Sequence, residues 1–385
     1  MRTFRIFALA GLVALGTASA ALADLAVSGN DGKQVRAGDG LPMTPTPDSI
    51  SVIAFSSMSK PAVIGEIEAC GTLLGPPVAI AVAPDSSYAL AACPQTVAAD
   101  GKKVASNQVN VIGLDNPTRP ALLQTVEAGQ GATAVAINRA GTRALVTGVG
   151  DDTITLFAIK DRKLTQLSQV TLDAKAEPRD VMFAPDGKTG WALRFGDGKV
   201  TKLAVGKDTL TRVADYDAGT QPDGGSITAD GRYLIVNAFG GVPGRTDKGS
   251  TLMIDTRSGK ITDVQEVGAL PESVNIAPGD KYVAIVAGNG SATVLKAKNF
   301  NEVFGKLAIF RPVKGKLEHV TDAQLGHACQ GAVWSADAKR ILVQCSVERD
   351  IRTFDFDGKS AVEQPDLRLT FVSRPGAMAV AGGPR

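Results

Sequence analysis

The sequence predicts an all-β fold, a seven-bladed β-propeller of four-stranded antiparallel blades, closed by three N-terminal strands plus one C-terminal strand. Three observations predict it. A short phrase recurs seven times: an apolar alternating run, a Pro/Asp/Gly turn, then a second apolar run. The copies begin with VAIAVAPDSSYALAAC (78–93) and TAVAINRAGTRALVTG (133–148), and end with a truncated GAMAVAGG (376–383). Periods of this size mark a stacked or radial repeat. The turn positions, Asp85, Ala140, Asp186, Asp230, Gly279 and Asp337, stand 44 to 58 residues apart, room for four short strands. Finally, the two ends of the chain complement each other as parts of one unit.

The elements follow in order. Residues 1–23 read as a secretory leader: Arg2 and Arg5 precede the apolar run FALAGLVALG, and Ala21-Leu22-Ala23 fits a cleavage site. No second long apolar run exists, so no membrane span is expected in the remaining chain, 24–385, which is read as one propeller domain. Three strands, LAVSGND (25–31), SISVIAF (49–55) and AVIGEIEA (62–69), precede the first full repeat. The interval after Asp186 shows a full blade. TGWALRF, GKVTKLAV and TLTRVADYD follow the inner run DVMFA, with period-two alternation and Gly/Asp punctuation. After Arg374 one apolar run remains, and with the three N-terminal strands it completes a seventh blade. Such pairing removes an exposed sheet edge.

Composition narrows the function classes. There are 41 basic and 39 acidic residues, and loss of the two leader arginines leaves a formally neutral chain. Nothing in that balance calls for a nucleic-acid or membrane partner. The four cysteines suit an exported protein. Cys93 and Cys345 both lie eight residues after a turn Asp, and Cys329 lies eight before one. Positions equidistant from a hairpin turn face each other. The pairs Cys329–Cys345 and Cys70–Cys93 are therefore expected. There is no C-x-x-C, no His pair of metal-ligand spacing and no Gly-rich phosphate loop, so neither metal nor cofactor is expected.

Each inner strand starts at one mouth of the channel. The residue seven before each turn position should ring that mouth: Val78, Thr133, Arg179, Asp223, Glu272 and Gln330, with Arg374 in the closing blade. Cations, carboxylates and amides at one level are a candidate ligand site, and equally a set of mutually neutralising ion pairs. Arg179, Asp223 and Glu272 each follow a proline, which restricts the backbone there. Four enlarged connections, 31–48, 95–107, 239–250 and 289–306, should project from the same face and carry nine basic side chains against six acidic. His327, three residues before Gln330, is the candidate general acid or base, since imidazole titrates near neutrality.

APDGKTGWAL, NRAGTRALVTGVGDDTITLFAI and GSTLMIDTRSGKI resemble repeats of the YVTN-type, lactonase-like seven-bladed propellers. The resemblance covers nearly all of the chain beyond the leader. It implies a polar cluster including His and Arg at the mouth. EPRDVMFAPDGK carries the family's Pro-Arg approach, with Asp180 where the resemblance implies a His. Three functions are carried forward. The first is a periplasmic binding or scaffold protein, monomeric, presenting its looped face to a protein partner or small anionic ligand. The second is a lactonase-type hydrolase acting at the mouth. The third, implied by the resemblance alone, is an accessory subunit of a periplasmic quinoprotein oxidation system.

Overall fold

The computed structural model of the chain describes residues 24–34, 45–293 and 299–381. The expected leader lies outside them. The described residues form seven antiparallel sheets arranged as a propeller. Six blades are built from consecutive strands. The third, for example, runs Pro178–Phe183, Thr189–Arg194, Lys199–Val205 and Leu210–Asp217 from the channel outward. The seventh joins the two ends of the chain. Arg374–Val380 is its inner strand, followed by Asp24–Asp31, Ser49–Ser56 and Ser59–Glu68. Each inner strand packs on the next around the ring, and Arg374–Val380 packs on Ile80–Val82 of the first blade to close the cycle. Among the described residues, no helix is long and apolar enough to cross a membrane.

Alternation along each strand sends side chains into the gaps between blades, where they interleave. Leu145, Ile154 and Leu156 of the second blade meet Val181, Phe183 and Leu203 of the third. Trp191 packs with Leu234, Val236 and Leu252 across the next gap. Each such side chain contributes about 1.5–3 kcal/mol by leaving water. Trp334 does the same between the fifth and sixth blades, and its indole N–H donates to the Asn275 carbonyl at 3.0 Å. The sixth blade departs from the regular pattern at its rim. Two short strands, Ala361–Glu363 and Leu369–Thr370, share the same partner, Asp350–Phe356, with Pro365 in the 3-10 turn between them. Proline has no N–H to give to a ladder, which ends the first of the two.

Both expected disulfides form. Cys70–Cys93 spans 5.7 Å between Cα atoms, and Cys329 pairs with Cys345 directly across the hairpin.

One local device recurs where each inner strand begins. The register with the second strand slips by one residue between Ala132 and Val135, Pro178 and Asp180, Pro222 and Gly225, Pro271 and Ser273, and Cys329 and Ala332. Each slip is a β-bulge, which re-aims a side chain and strengthens local twist. The bulges contain Thr133, Arg179, Asp223, Glu272 and Gln330. Two residues before each lies a residue in the left-handed region: Gly131, Glu177, Gln221, Leu270 and Ala328. The chain therefore turns sharply into the channel at the same level in five blades.

Two expectations follow. Replacing both Cys329 and Cys345 with Ala should lower unfolding free energy by about 3 kcal/mol, read from a denaturant midpoint under oxidising conditions. Gln221 is exposed at φ +57°, so Gln221→Gly should raise the same midpoint by about 0.5–1 kcal/mol, because glycine adopts this backbone without a Cβ clash.

Candidate functional site

The bulges bring Arg179 and Asp223 together. Arg179 comes from the third blade and Asp223 from the fourth, and Arg179 Nη1 donates to Asp223 Oδ1 at 3.2 Å. The guanidinium lies over the Phe195 ring, its central carbon 3.3 Å from the ring centroid. Phe195 in turn meets Phe239 edge-on at 5.7 Å. Both aromatics immediately follow the second strand of their blade, so they stand at the same mouth. Cation–π contact of this kind holds a guanidinium in one plane without consuming its outer N–H groups.

Phe195 is itself held from behind. Arg194 is fully buried and donates to Asp173 at 2.7 Å, to Asp215 at 3.1 Å and to Asp197. Arg212 joins Asp173 and Asp215 from the outer strand. The two guanidinium groups hold the Asp173 carboxyl well below the usual carboxylate range. This cluster fixes the connection that carries Phe195.

Asp223 is 1 % exposed. Burial pushes its carboxyl up to about 7, against the opposing pull of Arg179, and the nearby Asp180 adds to the rise. Its Oδ2 has no hydrogen-bond partner among the described residues. Asp180 is buried beside it and accepts from the Gly225 N–H across the blade boundary at 2.8 Å. Backbones approach closely here. A Cβ on Gly224 would stand 2.4 Å from the Glu272 carbonyl oxygen, so only glycine fits.

The other ring positions continue around the mouth. Val78 is buried against the second blade. Thr133 Oγ1 donates to the Gly131 carbonyl at 2.7 Å. Glu272 is half-buried. The Gln330 carbonyl accepts from Ser273 Oγ at 2.8 Å, and its side-chain Oε1 is buried with no partner among the described residues. Arg374 is fully buried and donates to the Ser346 carbonyl at 2.8 Å.

His327 stands behind this rim. Nδ1 lies 2.6 Å from Glu348 Oε1 and Nε2 lies 2.6 Å from the Phe300 carbonyl. The ring stacks on Phe300 at 3.8 Å. Both nitrogens thus face acceptors within the protein. Glu348, Asp350 and Cys345 also present ligand-type atoms within 4.8 Å of one another, but Cys345 is committed to its disulfide.

Among the described residues, four of the six basic side chains on the loops are neutralised by carboxylates. Lys33 is buried, with Nζ 2.6 Å from Asp48 Oδ2 and 2.6 Å from the Gly71 carbonyl. Lys102, Lys248 and Lys306 pair with Asp100, Glu266 and Asp322. Lys103 bonds Gln34, and Arg245 is exposed. Arg36, Lys296 and Lys298 lie outside the described residues. Sequence reasoning missed the aromatic platform and the bulges. The signal available was the proline before Arg179, Asp223 and Glu272.

Comparison with known proteins agrees with this architecture. The chain superimposes on a candidate 6-phosphogluconolactonase of Bacteroides fragilis with a TM-score of 0.67 at 16% identity, over 93% of this chain and 98% of the other. The periplasmic gluconolactonase of Pseudomonas aeruginosa gives 0.66 at 14% identity, over 94% and 100%. Hydrazine synthase of Kuenenia stuttgartiensis gives 0.59 at 17%, over 76% and 79%. At these identities the likeness is one of fold. No curated protein matches the sequence. The model of the lactonase family, 7-bladed beta-propeller, matches residues 43–308, well over half of the sequence, and the chain belongs to that family.

Proposed function

We propose that the chain is an exported, periplasmic lactone hydrolase acting at the channel mouth. The observation that carries this reading is the Arg179–Asp223 pair: a buried carboxyl raised to about 7, whose Oδ2 has no hydrogen-bond partner among the described residues, beside a guanidinium seated over an aromatic ring. A base near the working pH is suited to proton transfer. Water attacks the lactone carbonyl while Asp223 Oδ2 takes its proton. Arg179 meets the charge that develops on the carbonyl oxygen. The ring C–O bond then breaks, and the leaving alkoxide recovers the proton from Asp223. A preorganised donor of this kind acts strongly in a site shielded from water. His327, engaged at both nitrogens, holds the connection that carries Phe300. The two disulfides and the likeness to a periplasmic gluconolactonase support the exported setting.

A second reading is a binding or scaffold role for a protein partner. The hairpin Tyr88–Val97 and Lys103–Gly113 supports it, since it extends beyond the blade and leaves Val97 and Val104 exposed at 51% and 42%.

Hydrolysis of glucono-1,5-lactone, corrected for the spontaneous rate, tests the first reading. Asp223→Asn should lower kcat about 100-fold or more. The wild-type profile of kcat/KM should rise with pH through about 7 as Asp223 ionises. Arg179→Gln removes the cation that favours the ionised form, so its rising limb should lie at higher pH. Absence of any acceleration over a panel of aldonolactones would leave the binding role as the better account. The same carboxyl marks stability. Unfolded, it ionises near about 4. Between there and about 7 the folded chain keeps a proton that the unfolded chain has lost. This group therefore lowers stability as pH rises across that window, and Asp223→Asn should flatten the decline.

A further inference from the structure

The face opposite the polar mouth carries the hairpin turns that join inner and second strands. In four blades an Asp caps its own turn there. Asp85, Asp186, Asp230 and Asp337 accept from the N–H groups of Ser87, Lys188, Arg232 and Lys339 at 2.8 to 3.1 Å. The second blade departs from this. Arg139-Ala140 stands where the first and third blades have Pro-Asp, at 84–85 and 185–186. Asn138 takes over the capping, its Oδ1 accepting from the Thr142 and Arg143 N–H groups at 2.8 and 3.0 Å. The turn is closed without an acid, and its tip presents an exposed arginine.

This turn and the Pro185–Lys188 turn of the third blade border a groove of about 890 Å³. Arg143 links the two blades, donating to the Thr142 and Lys207 carbonyls at 2.8 Å each. Arg139, Lys188 and Lys207 also line the groove. All three are exposed, and their side chains make no hydrogen bond or ion pair among the described residues. The one carboxyl in the lining, Asp186, is engaged by its own turn, accepting from the Lys188 and Thr189 N–H groups at 2.8 and 2.9 Å and from Thr189 Oγ1 at 3.0 Å. Asp208, next to Lys207, is exposed and outside the lining. Every lining residue is described, and none is near a chain end. Unpaired cations around one groove repel each other, and a bound anion relieves that repulsion.

The cations come from three separate loops, 138–143, 185–188 and 205–207, which suits spaced anionic groups better than one compact ion. The apolar lining is small: Ala140, half-buried Pro185 and buried Val205. It offers little to the large anchor side chains by which peptides dock. We propose that this groove binds an acidic oligosaccharide, its carboxylate or sulfate groups against Arg139, Lys188 and Lys207. The site lies on the far face from the channel mouth and does not rest on the hydrolase reading.

Isothermal titration calorimetry with a heparin-derived octasaccharide at about 50 mM salt tests this, with an oligoglutamate of equal charge as comparison. The octasaccharide should bind saturably at one site per chain, and the oligoglutamate at least about fivefold more weakly. Arg139→Ala with Lys188→Ala should weaken the octasaccharide about fivefold. Lys316→Ala with Lys359→Ala removes the same charge from the same face on the far side of the ring, and should change affinity less than about twofold. All four side chains are exposed, so both variants keep the fold. The proposal is overturned if the octasaccharide shows no saturable binding, if the oligoglutamate binds as tightly, or if the two pairs of substitutions weaken binding equally.

Discussion

The fold depends on one set of backbone hydrogen bonds, those between Asp24–Asp31 and Arg374–Val380. Without them the seventh blade lacks its inner strand, and the first and sixth blades lose the neighbour on which their apolar faces pack. A propeller blade buries its side chains only against other blades, so the ring is stable as a whole or poorly stable in part. The same pairing supplies Arg374 to the mouth. Gln344 reinforces the junction by donating to Ser28 Oγ of the closing blade and to the Ala377 carbonyl.

The mouth shows how a uniform scaffold carries a specific charge arrangement. Bulges at matching places turn five side chains inward, and the left-handed residue two positions earlier sets the direction of approach. Backbone of this kind costs free energy, and it persists because the interleaved blades hold it. Above it, charge is sorted by depth. The Arg194 cluster is balanced by three carboxylates and serves as a foundation. Asp223 is left with a single cation and a buried oxygen that bonds none of the described residues. The first arrangement is structural in character, and the second is the one that the proposed hydrolysis uses.

Much of the architecture was legible in the sequence, because repeat period, alternation and turn residues are local properties. Equal distance from a turn also located the Cys329–Cys345 pair, since antiparallel register is fixed by the hairpin. The site was legible only as a set of positions. That Arg179 would pair with Asp223 and lie on Phe195 depends on how neighbouring blades are rotated, which no local pattern encodes. Burial was similarly hidden. Lys33 read as a surface cation, yet it is enclosed by Asp31, Asp48 and the Gly71 carbonyl. His327 read as a candidate general acid or base, and its partners Glu348 and Phe300 come from segments on either side of it in sequence.

The closing blade has a consequence for how the chain comes off the ribosome. Its three outer strands are synthesised before any other blade, and its innermost strand after all six others. Residues 24–68 must therefore remain without their central partner through most of translation. The hydrogen bonds that close the ring join residues more than three hundred positions apart, so they cannot form before the final strand has been made.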